Sequence, residues 1–265
     1  MELSVSHTTH YAYSDPVDYA LQKVMLRPLS SPMQDVNSWS IDVDGGEIEA
    51  SYTDHHGNHV DLVSLTPGAS ALSITAQGHV RTLNDTGVLG QVFGRAPLWY
   101  FQHSTPLTQP GESIRALPRV SHDASAQLAS LHDLSAAILE ALPYQSGETA
   151  VDTPAEEALR GKTGVCQDHS QIFIAAARLS GLPARYISGY LMINDQVSQD
   201  ATHAWAEVYI DGLGWTGFDV SNGVSPDEKY VRIAHGRDAQ DAAPVKGLRL
   251  GPSEETLNVS LQVQQ

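Results

Sequence analysis

The chain has 265 residues and a net charge of −16, with 31 acidic against 15 basic side chains, and 41% of its residues are hydrophobic. This length admits one large or two modest domains, and so acidic a surface argues against nucleic acid or an anionic membrane as a partner. The single cysteine, Cys166, excludes an internal disulfide and any zinc or iron–sulfur site that needs two cysteines.

The first residues of the chain, 1–14, alternate polar and apolar side chains. They lack the basic start and the apolar stretch that are typical of a secretion signal. No apolar run in the sequence approaches the roughly 18 residues that cross a bilayer. We therefore expect a protein without a membrane segment and, by default, a cytoplasmic location.

Short runs of alternating polar and apolar residues continue as far as about Leu117. The turn sequence Asp44-Gly45-Gly46 supplies the positive φ angles that tight reversals need. This pattern predicts an antiparallel β domain over residues 1–117, with a linker over 105–118 that contains three prolines, and a second domain over residues 118–265. The strands predicted in the first domain include 39–43, 47–52, 59–65 and 72–80.

Three helices are predicted in the second domain. Apolar residues recur at three- and four-residue spacing over 123–142, and a proline follows, which predicts a helix that ends there. A short helix is predicted over 153–160, with Thr153 as the candidate N-cap. A third is predicted to begin near Cys166 and to end at Gly181, because a glycine with a proline close behind is a common helix terminus.

Strands are predicted after these helices. Residues 185–193, 203–210 and 215–220 alternate in the manner of a sheet, and segments 231–235, 247–250 and 257–263 are expected to extend it. The chain is thus predicted to be an α+β protein, in which an N-terminal antiparallel β domain precedes a helical part packed on an antiparallel sheet or barrel.

Cys166 is the first candidate for chemistry. Gly164 lies in a turn that delivers the cysteine to the first turn of a helix, whose partial positive charge favours the reactive thiolate. The alternative is that a lone cysteine is a small buried hydrophobic residue. Gln167 and Asp168 are expected to cap and orient the helix start rather than to react.

His203 opens a predicted strand whose two faces differ. Its large residues, such as Trp205, share one face with His203, whereas small apolar residues such as Ala206 occupy the other and suit packing under a helix. The imidazole could therefore meet a side chain that arrives at the beginning of the strand. Because the sequence contains 12 histidines, an ordinary structural role is the alternative for any one of them.

Asp219 follows the next predicted strand, and a hairpin would bring it back toward His203. An acceptor on the second ring nitrogen fixes the tautomer and orientation of a catalytic histidine. In a hairpin with a two- or four-residue loop, Asp219 would lie on the face opposite His203, whereas a three-residue loop would set it across from Trp205. We therefore predict an odd-numbered loop or a bulge, with Gly214 or Gly217 as the candidate positions.

Several segments resemble the core of the bacterial transglutaminase-like cysteine peptidases, and others resemble the N-terminal β-rich domain and the tail of that family. The core segments are Gly164-Val165-Cys166-Gln167-Asp168, Gly181-Leu182-Pro183-Ala184-Arg185-Tyr186, Thr202-His203-Ala204-Trp205-Ala206-Glu207-Val208 and Gly214-Trp215-Thr216-Gly217-Phe218-Asp219. The resemblance implies a papain-like fold with Cys166 as nucleophile, His203 as base and Asp219 as the residue that orients the base. His169 departs from the pattern, because an aromatic residue is frequent at that position.

The reaction implied by the resemblance is acyl transfer from an amide of a peptide or protein through a thioester, without a cofactor. The backbone N–H of Cys166 is the expected first oxyanion donor, and Tyr144 or Gln145 is a candidate for the second. Trp205 and Trp215 are candidates for the wall of the cleft.

Three other functions remain open. A protein-glutamine transamidase would use the same first half-reaction, and a catalytically silent domain could bind peptides with the same fold. A metalloprotein would use scattered histidines, although His55, His56 and His59 lie in turn-like sequence and are expected to be solvated. We favour the peptidase or amidase, because nothing in the sequence identifies an amine site.

Overall fold

The protein is described by a computed structural model that covers residues 1–83, 86–91, 96–193, 197–199, 201–251 and 254–265. The first part of the chain is almost entirely β-structure, with two short 3-10 turns at Leu98–Gln102 and Pro106–Thr108. Its strands are β1 (Glu2–Val17), β2 (Tyr19–Val24), β3 (Gln34–Asp44), β4 (Gly46–Thr53), β5 (His59–Leu65), β6 (Ala69–Thr82) and β7 (Val88–Gly90).

Helices dominate the middle of the chain, and strands follow them. The helices are α1 (Glu112–Ala116), α2 (Ala124–Ala141), α3 (Ala155–Gly161) and α4 (Cys166–Leu179). The later strands are β8 (Ala184–Leu191), β9 (Ser198–Gln199), β10 (His203–Ile210), β11 (Gly214–Phe218), β12 (Tyr230–Gly236), β13 (Val245–Leu250) and β14 (Glu255–Gln264). The predicted α+β architecture is confirmed. Among the described residues, no helix combines the length and the apolar character that crossing a bilayer needs.

The described strands form three antiparallel sheets. Two belong mainly to the N-terminal half, in the orders β3-β6-β1-β14-β9 and β13-β2-β5-β4, and the third has the order β12-β8-β10-β11-β7. The expectation that β13 and β14 extend the third sheet is wrong, because they pair with β2 and β1. Alternation of residues specifies that a strand forms and which face is buried, but it does not specify the partner strand.

The end of the chain thus returns to the N-terminal sheets, where Leu261 and Val263 are buried in one core with Leu3 and Val5. Conversely, β7 from the N-terminal half of the chain pairs with β11 of the third sheet. The boundary near Leu117 stays a prediction.

The predicted linker packs against the second domain instead of spanning open solvent. Ile114 of α1 is buried in the same core as α4. The carboxylate of Glu156, at the start of α3, accepts hydrogen bonds from the backbone N–H groups of Gly111, Ser113 and Ile114. The prolines of this segment interrupt regular structure, but burial of its apolar residues still stabilises the folded protein.

The predicted helices lie within two residues of those observed. Asp123 caps α2 by accepting a hydrogen bond from the backbone N–H of Ser125. The N-cap of α3 is Pro154, one residue after the predicted Thr153. The buried side of α4 packs on the small apolar face of β10, which is the face predicted to lie under a helix. This packing brings the start of α4 and the start of β10 to one end of the third sheet.

Candidate active site

Cys166 is the first residue of α4, after the extended N-cap Val165, and it is 9% exposed. Its position depends on Gly164, because a β-carbon there would lie 2.8 Å from both Cβ and Oδ2 of Asp168. Only a residue without a side chain lets the backbone pass this close to the carboxylate. The thiol therefore lies in the first turn of the helix, beside amide N–H groups that favour an anion.

Asp168 caps the start of α4. Its Oδ2 atom accepts hydrogen bonds from the backbone N–H of Val165 and from the hydroxyl of Thr149, both at 2.8 Å. Gln167 donates a hydrogen bond to the carbonyl oxygen of Val151 at 3.2 Å. These two residues tie the segment before α3 to the helix start, so they position the backbone around Cys166.

The hairpin between β10 and β11 has a loop of three residues, from Asp211 to Leu213, because Ile210 pairs with Gly214. The prediction of an odd-numbered loop is confirmed. Gly214, one of the two predicted positions, has a φ of 83°, in the left-handed region that a residue without a β-carbon adopts easily. With this register Asp219 falls across from Trp205, on the side of His203.

His203 and Asp219 are hydrogen-bonded, with 2.6 Å between Nε2 of the imidazole and Oδ2 of the carboxylate. His203 is the first residue of β10, and Asp219 comes directly after β11 and has no exposed surface. Because Nε2 is engaged by the carboxylate, Nδ1 is the ring nitrogen left for other partners. The structure therefore brings two of the three predicted residues into direct contact.

Asp219 accepts further hydrogen bonds from residues that follow it in the chain. Tyr230 and the side chain of Asn222 each donate to Oδ2 at 2.7 Å, and the hydroxyl of Ser221 donates to Oδ1 at 2.7 Å. Burial would raise the pKa of Asp219, but the hydrogen bonds from His203, Asn222 and Ser221 lower it to about 2. The carboxylate thus keeps its negative charge inside the protein.

His203 is held in its charged form by its neighbours. Burial alone would lower its pKa, but hydrogen bonds to Asp219 and Cys166 and the charges of both groups raise the pKa to about 10. Cys166 is thus within interaction range of the imidazole, and it completes the set of three predicted residues. These contacts favour the protonated form of the His203 ring over the neutral form.

Tyr144 lies next to the turn that leads into α4 and is 57% exposed. It forms a parallel β-bridge with Gly164, and the backbone N–H of Gln145 donates to the carbonyl oxygen of Gly164 at 2.8 Å. Burial, followed by the charges of Cys166 and Asp219, raises the pKa of the Tyr144 phenol, so its hydroxyl remains a donor at neutral pH. The side chain of Gln145 instead donates to Glu148.

The two candidate wall tryptophans are both buried. Trp205 lies behind His203, with 6.4 Å between the ring centroids. Trp215 is buried in a separate cluster with Phe101 and Leu89, and the guanidinium of Arg185 covers its ring at 3.8 Å. The structure therefore places Trp205 against the site and Trp215 away from it.

His56 does not fit the expectation of solvated histidines, because it is only 1% exposed. It packs against His235 and Phe101, so its loop meets the second half of the chain instead of solvent. Within the part of the chain that the structure describes, no group of three or more histidine, cysteine, aspartate or glutamate side chains could hold a metal ion.

Sequence reasoning missed Tyr230, Ser221 and Asn222 as ligands of the Asp219 carboxylate. A signal existed for one contact, because an aspartate commonly accepts a hydrogen bond from a backbone N–H two or three residues later, as Asp219 does from Asn222. Tyr230 carries no such signal, since it reaches Asp219 only through the pairing of β12 with β8.

Two family models match the sequence. Residues 116–220 match the transglutaminase-like superfamily, and residues 3–81 match the bacterial transglutaminase-like N-terminal region. The first match contains all three residues of the site and ends just after Asp219.

Similar proteins span nearly the whole chain. The uncharacterized protein Rv2569c of Mycobacterium tuberculosis is 29% identical over 98% of this chain and 91% of its own length. The uncharacterized protein ML0607 of Mycobacterium leprae is 26% identical over 98% of each chain. A crystal structure from Cytophaga hutchinsonii, provisionally described as a cysteine protease, matches with a TM-score of 0.76 and 20% identity over 100% of this chain and 98% of its own. That structural likeness shows a shared fold.

Proposed function

Because the chain belongs to the transglutaminase-like superfamily, we propose that it is a cysteine-dependent enzyme that cleaves amide bonds of a peptide or protein. The observation that carries the proposal is the 2.6 Å hydrogen bond between His203 and Asp219, in a site where the pKa of His203 is raised to about 10 partly by Cys166. A histidine with a purely structural role needs no contact with both a buried carboxylate and a thiol. A thiol nucleophile needs a histidine and a carboxylate, because together they stabilise its thiolate.

In the proposed first half-reaction, the thiolate of Cys166 attacks the carbonyl carbon of the amide. The resulting C–S bond converts the carbonyl oxygen to an oxyanion, and the C–N bond then breaks. The imidazolium of His203 donates its proton to the departing amine, and Asp219 keeps the ring oriented throughout. The products of this half-reaction are a free amine and a thioester on Cys166.

In the second half-reaction, water attacks the thioester. Neutral His203 accepts the proton of the water, the C–S bond breaks, and a carboxylic acid leaves while the thiolate and imidazolium re-form. The base role of His203 thus belongs to this step, whereas in the first step the histidine acts as an acid.

The oxyanion needs donors that face the nucleophile. The backbone N–H of Cys166 at the start of α4 supplies the first. The phenol of Tyr144 is the proposed second donor, because burial and then the charges of nearby Cys166 and Asp219 raise its pKa, so the hydroxyl keeps its proton. The side chain of Gln145 is a poorer candidate, since it is bonded to Glu148.

A peptide library incubated with a labelled primary amine tests the reaction. We expect hydrolysis products from the wild type and none from Cys166→Ala. Label incorporation that outruns hydrolysis would identify a protein-glutamine transamidase instead. A folded wild type that turns over no peptide and resists iodoacetamide at neutral pH would indicate a peptide-binding domain without chemistry.

A cytoplasmic location is part of the same proposal, because a reducing compartment keeps a single reactive thiol free. Cell fractionation with an antibody against the chain tests it, and recovery in a periplasmic or secreted fraction would contradict it.

A further inference from the structure

His169 lies one helical turn after Cys166 and has no exposed surface. Both of its ring nitrogens meet backbone carbonyl oxygens. Nδ1 is 2.9 Å from the oxygen of Val165, the N-cap of α4, and Nε2 is 2.7 Å from the oxygen of Leu142, the C-cap of α2. The ring therefore bridges the end of one helix and the start of the other.

These two partners decide the protonation state of the ring. A neutral imidazole has one N–H donor and one acceptor nitrogen, whereas a carbonyl oxygen can only accept. With a neutral ring, one nitrogen lone pair would face an oxygen lone pair at less than 3 Å inside the protein. Two N–H donors satisfy both contacts, so the geometry favours an imidazolium.

A second buried histidine provides the contrast. His7 is 2.9 Å from the hydroxyl of Tyr190 and 3.2 Å from the hydroxyl of Thr9. Hydroxyl groups can donate or accept, so a neutral ring satisfies both contacts. Burial lowers the pKa of His7 to about 4, in keeping with a neutral ring. Only His169 of this pair faces two obligate acceptors.

We propose that His169 is a positioning residue that, as an imidazolium clamped between the carbonyl oxygens of Val165 and Leu142, places a positive charge one helical turn from Cys166 and stabilises its thiolate. Residues three apart on a helix are neighbours on its surface, at about 5–6 Å between β-carbons. The charge adds to the partial positive charge of the helix N-terminus. The inference rests on the proposed role of Cys166 as a nucleophile.

The surroundings of His169 support a charged ring. Asp168, adjacent in sequence, is also fully buried, and its Oδ1 atom has no hydrogen-bond partner among the described residues. Burial raises the pKa of Asp168, while the charge of His169 is one of the effects that oppose the rise. On the other side, the ring of Tyr144 is nearly parallel to the imidazole, at 16° and 6.2 Å between centroids. An aromatic face near a cation adds electrostatic stabilisation.

The test measures the rate of Cys166 alkylation by iodoacetamide as a function of pH. In His169→Gln, we expect the pH of half-maximal rate to rise by about one unit, because removal of a nearby positive charge disfavours the thiolate. His7→Gln is the matched control, because this buried histidine bonds to Tyr190 in a different core from that of Cys166, and its profile should coincide with that of the wild type. A merely structural role of His169 would change the plateau rate without moving the half-maximal pH.

Histidine ring ¹⁵N chemical shifts of the wild type test the protonation state without relying on a variant that folds. We expect both nitrogens of His169 to carry protons between pH 6 and 8. A neutral ring in that range, or a folded His169→Gln with an unshifted alkylation profile, would overturn the inference. Neither result touches the proposed function, which instead fails if wild-type Cys166 is inert to iodoacetamide.

Discussion

His203 and His235 are both largely buried in the third sheet, on β10 and β12, but their electrostatic surroundings differ. His203 donates to Asp219, and its pKa is raised to about 10 despite burial. The Nδ1 atom of His235 has no hydrogen-bond partner among the described residues. Burial, followed by the charges of Arg232 and Arg185, lowers the pKa of His235 well below its usual value.

This difference shows which group stabilises the charged form of a buried histidine. Burial disfavours the charged form of any histidine, so the position in the sheet cannot explain the charge on His203. What reverses the effect is the carboxylate of Asp219, whose charged form is itself favoured by hydrogen bonds from His203, Asn222 and Ser221. Without such a carboxylate, the ring of His235 stays neutral. Substitutions of His203, Asp219 and Tyr230 each remove one component of this contrast.

Replacement of His203 has the largest expected effect. His203→Gln removes the acid that protonates the leaving amine and the cation that pairs with the thiolate, so we expect activity to fall on the order of 10⁴-fold. His235→Gln, measured per folded molecule, should lose less than about tenfold, because His235 does not contact the reacting groups. Peptide-hydrolysis assays of both variants test this difference, and equal losses would contradict it.

Asp219→Asn removes the charge that keeps His203 protonated. The pKa of His203 should fall below about 10, and activity should decrease by roughly 100-fold, within the range that proton transfer contributes. An NMR titration of the histidine and the pH–rate profile measure the two effects. Asp211→Asn, in the exposed loop of the same hairpin, is the control, and an unchanged titration of His203 in Asp219→Asn would refute the assignment.

Tyr230→Phe removes one hydrogen bond to the carboxylate and keeps the ring that packs against His203. A hydrogen bond to a charged group contributes about 1.5–3 kcal/mol, and part of this loss should appear as a roughly tenfold decrease in activity. The pKa of Asp219 should rise above about 2. Tyr190→Phe is the matched control, because that hydroxyl bonds to His7. Equal effects of the two changes would argue against a specific role for Tyr230.

The smallest expected effect concerns stability in acid. The pKa of His7 is lowered to about 4 by burial, so its contribution to stability is complete above the unfolded pKa of about 6.5 and is lost as the pH falls below that value. Between pH 6.5 and 5 this loss amounts to roughly 1–2 kcal/mol for one histidine. His203 has the opposite sign, since its contribution is lost as the pH rises from about 6.5 to about 10.

Urea unfolding at pH 7.5 and pH 5 measures the effect of His7. The difference in the free energy of unfolding between the two pH values should shrink in His7→Gln and stay unchanged in His122→Gln, an exposed histidine. An equal pH dependence in wild type and His7→Gln would show that His7 is not held neutral in the folded protein.

The local structure of this chain is readable from its sequence. The period of apolar residues locates α2, and the glycine terminus at Gly181 locates the end of α4, each within two residues; the strand of His203 begins at the predicted residue. The hairpin register was also predictable. If Asp219 orients His203, the two residues must lie on the same side of the sheet, and only an odd-numbered loop allows this. These features depend on neighbours along the chain.

Features that depend on distant parts of the chain could not be read in the same way. The pairing of β14 with β1 joins residues more than 240 positions apart, such as Val5 with Val263, and alternation alone does not select that partner. The contact of Tyr230 with Asp219 and the burial of His56 against His235 likewise depend on tertiary packing. The protonation states of the histidines depend on those same contacts.

Detection of an acyl-enzyme tests the central claim most directly. Wild-type protein is mixed with a peptide that it hydrolyses, quenched with acid within milliseconds to seconds, and analysed by intact-mass and peptide mass spectrometry. We expect the protein to carry the acyl fragment as a thioester on Cys166. Cys166→Ala should carry none. Steady peptide hydrolysis by the wild type with no adduct on Cys166 at any quench time, or hydrolysis that survives in Cys166→Ala, would contradict the account.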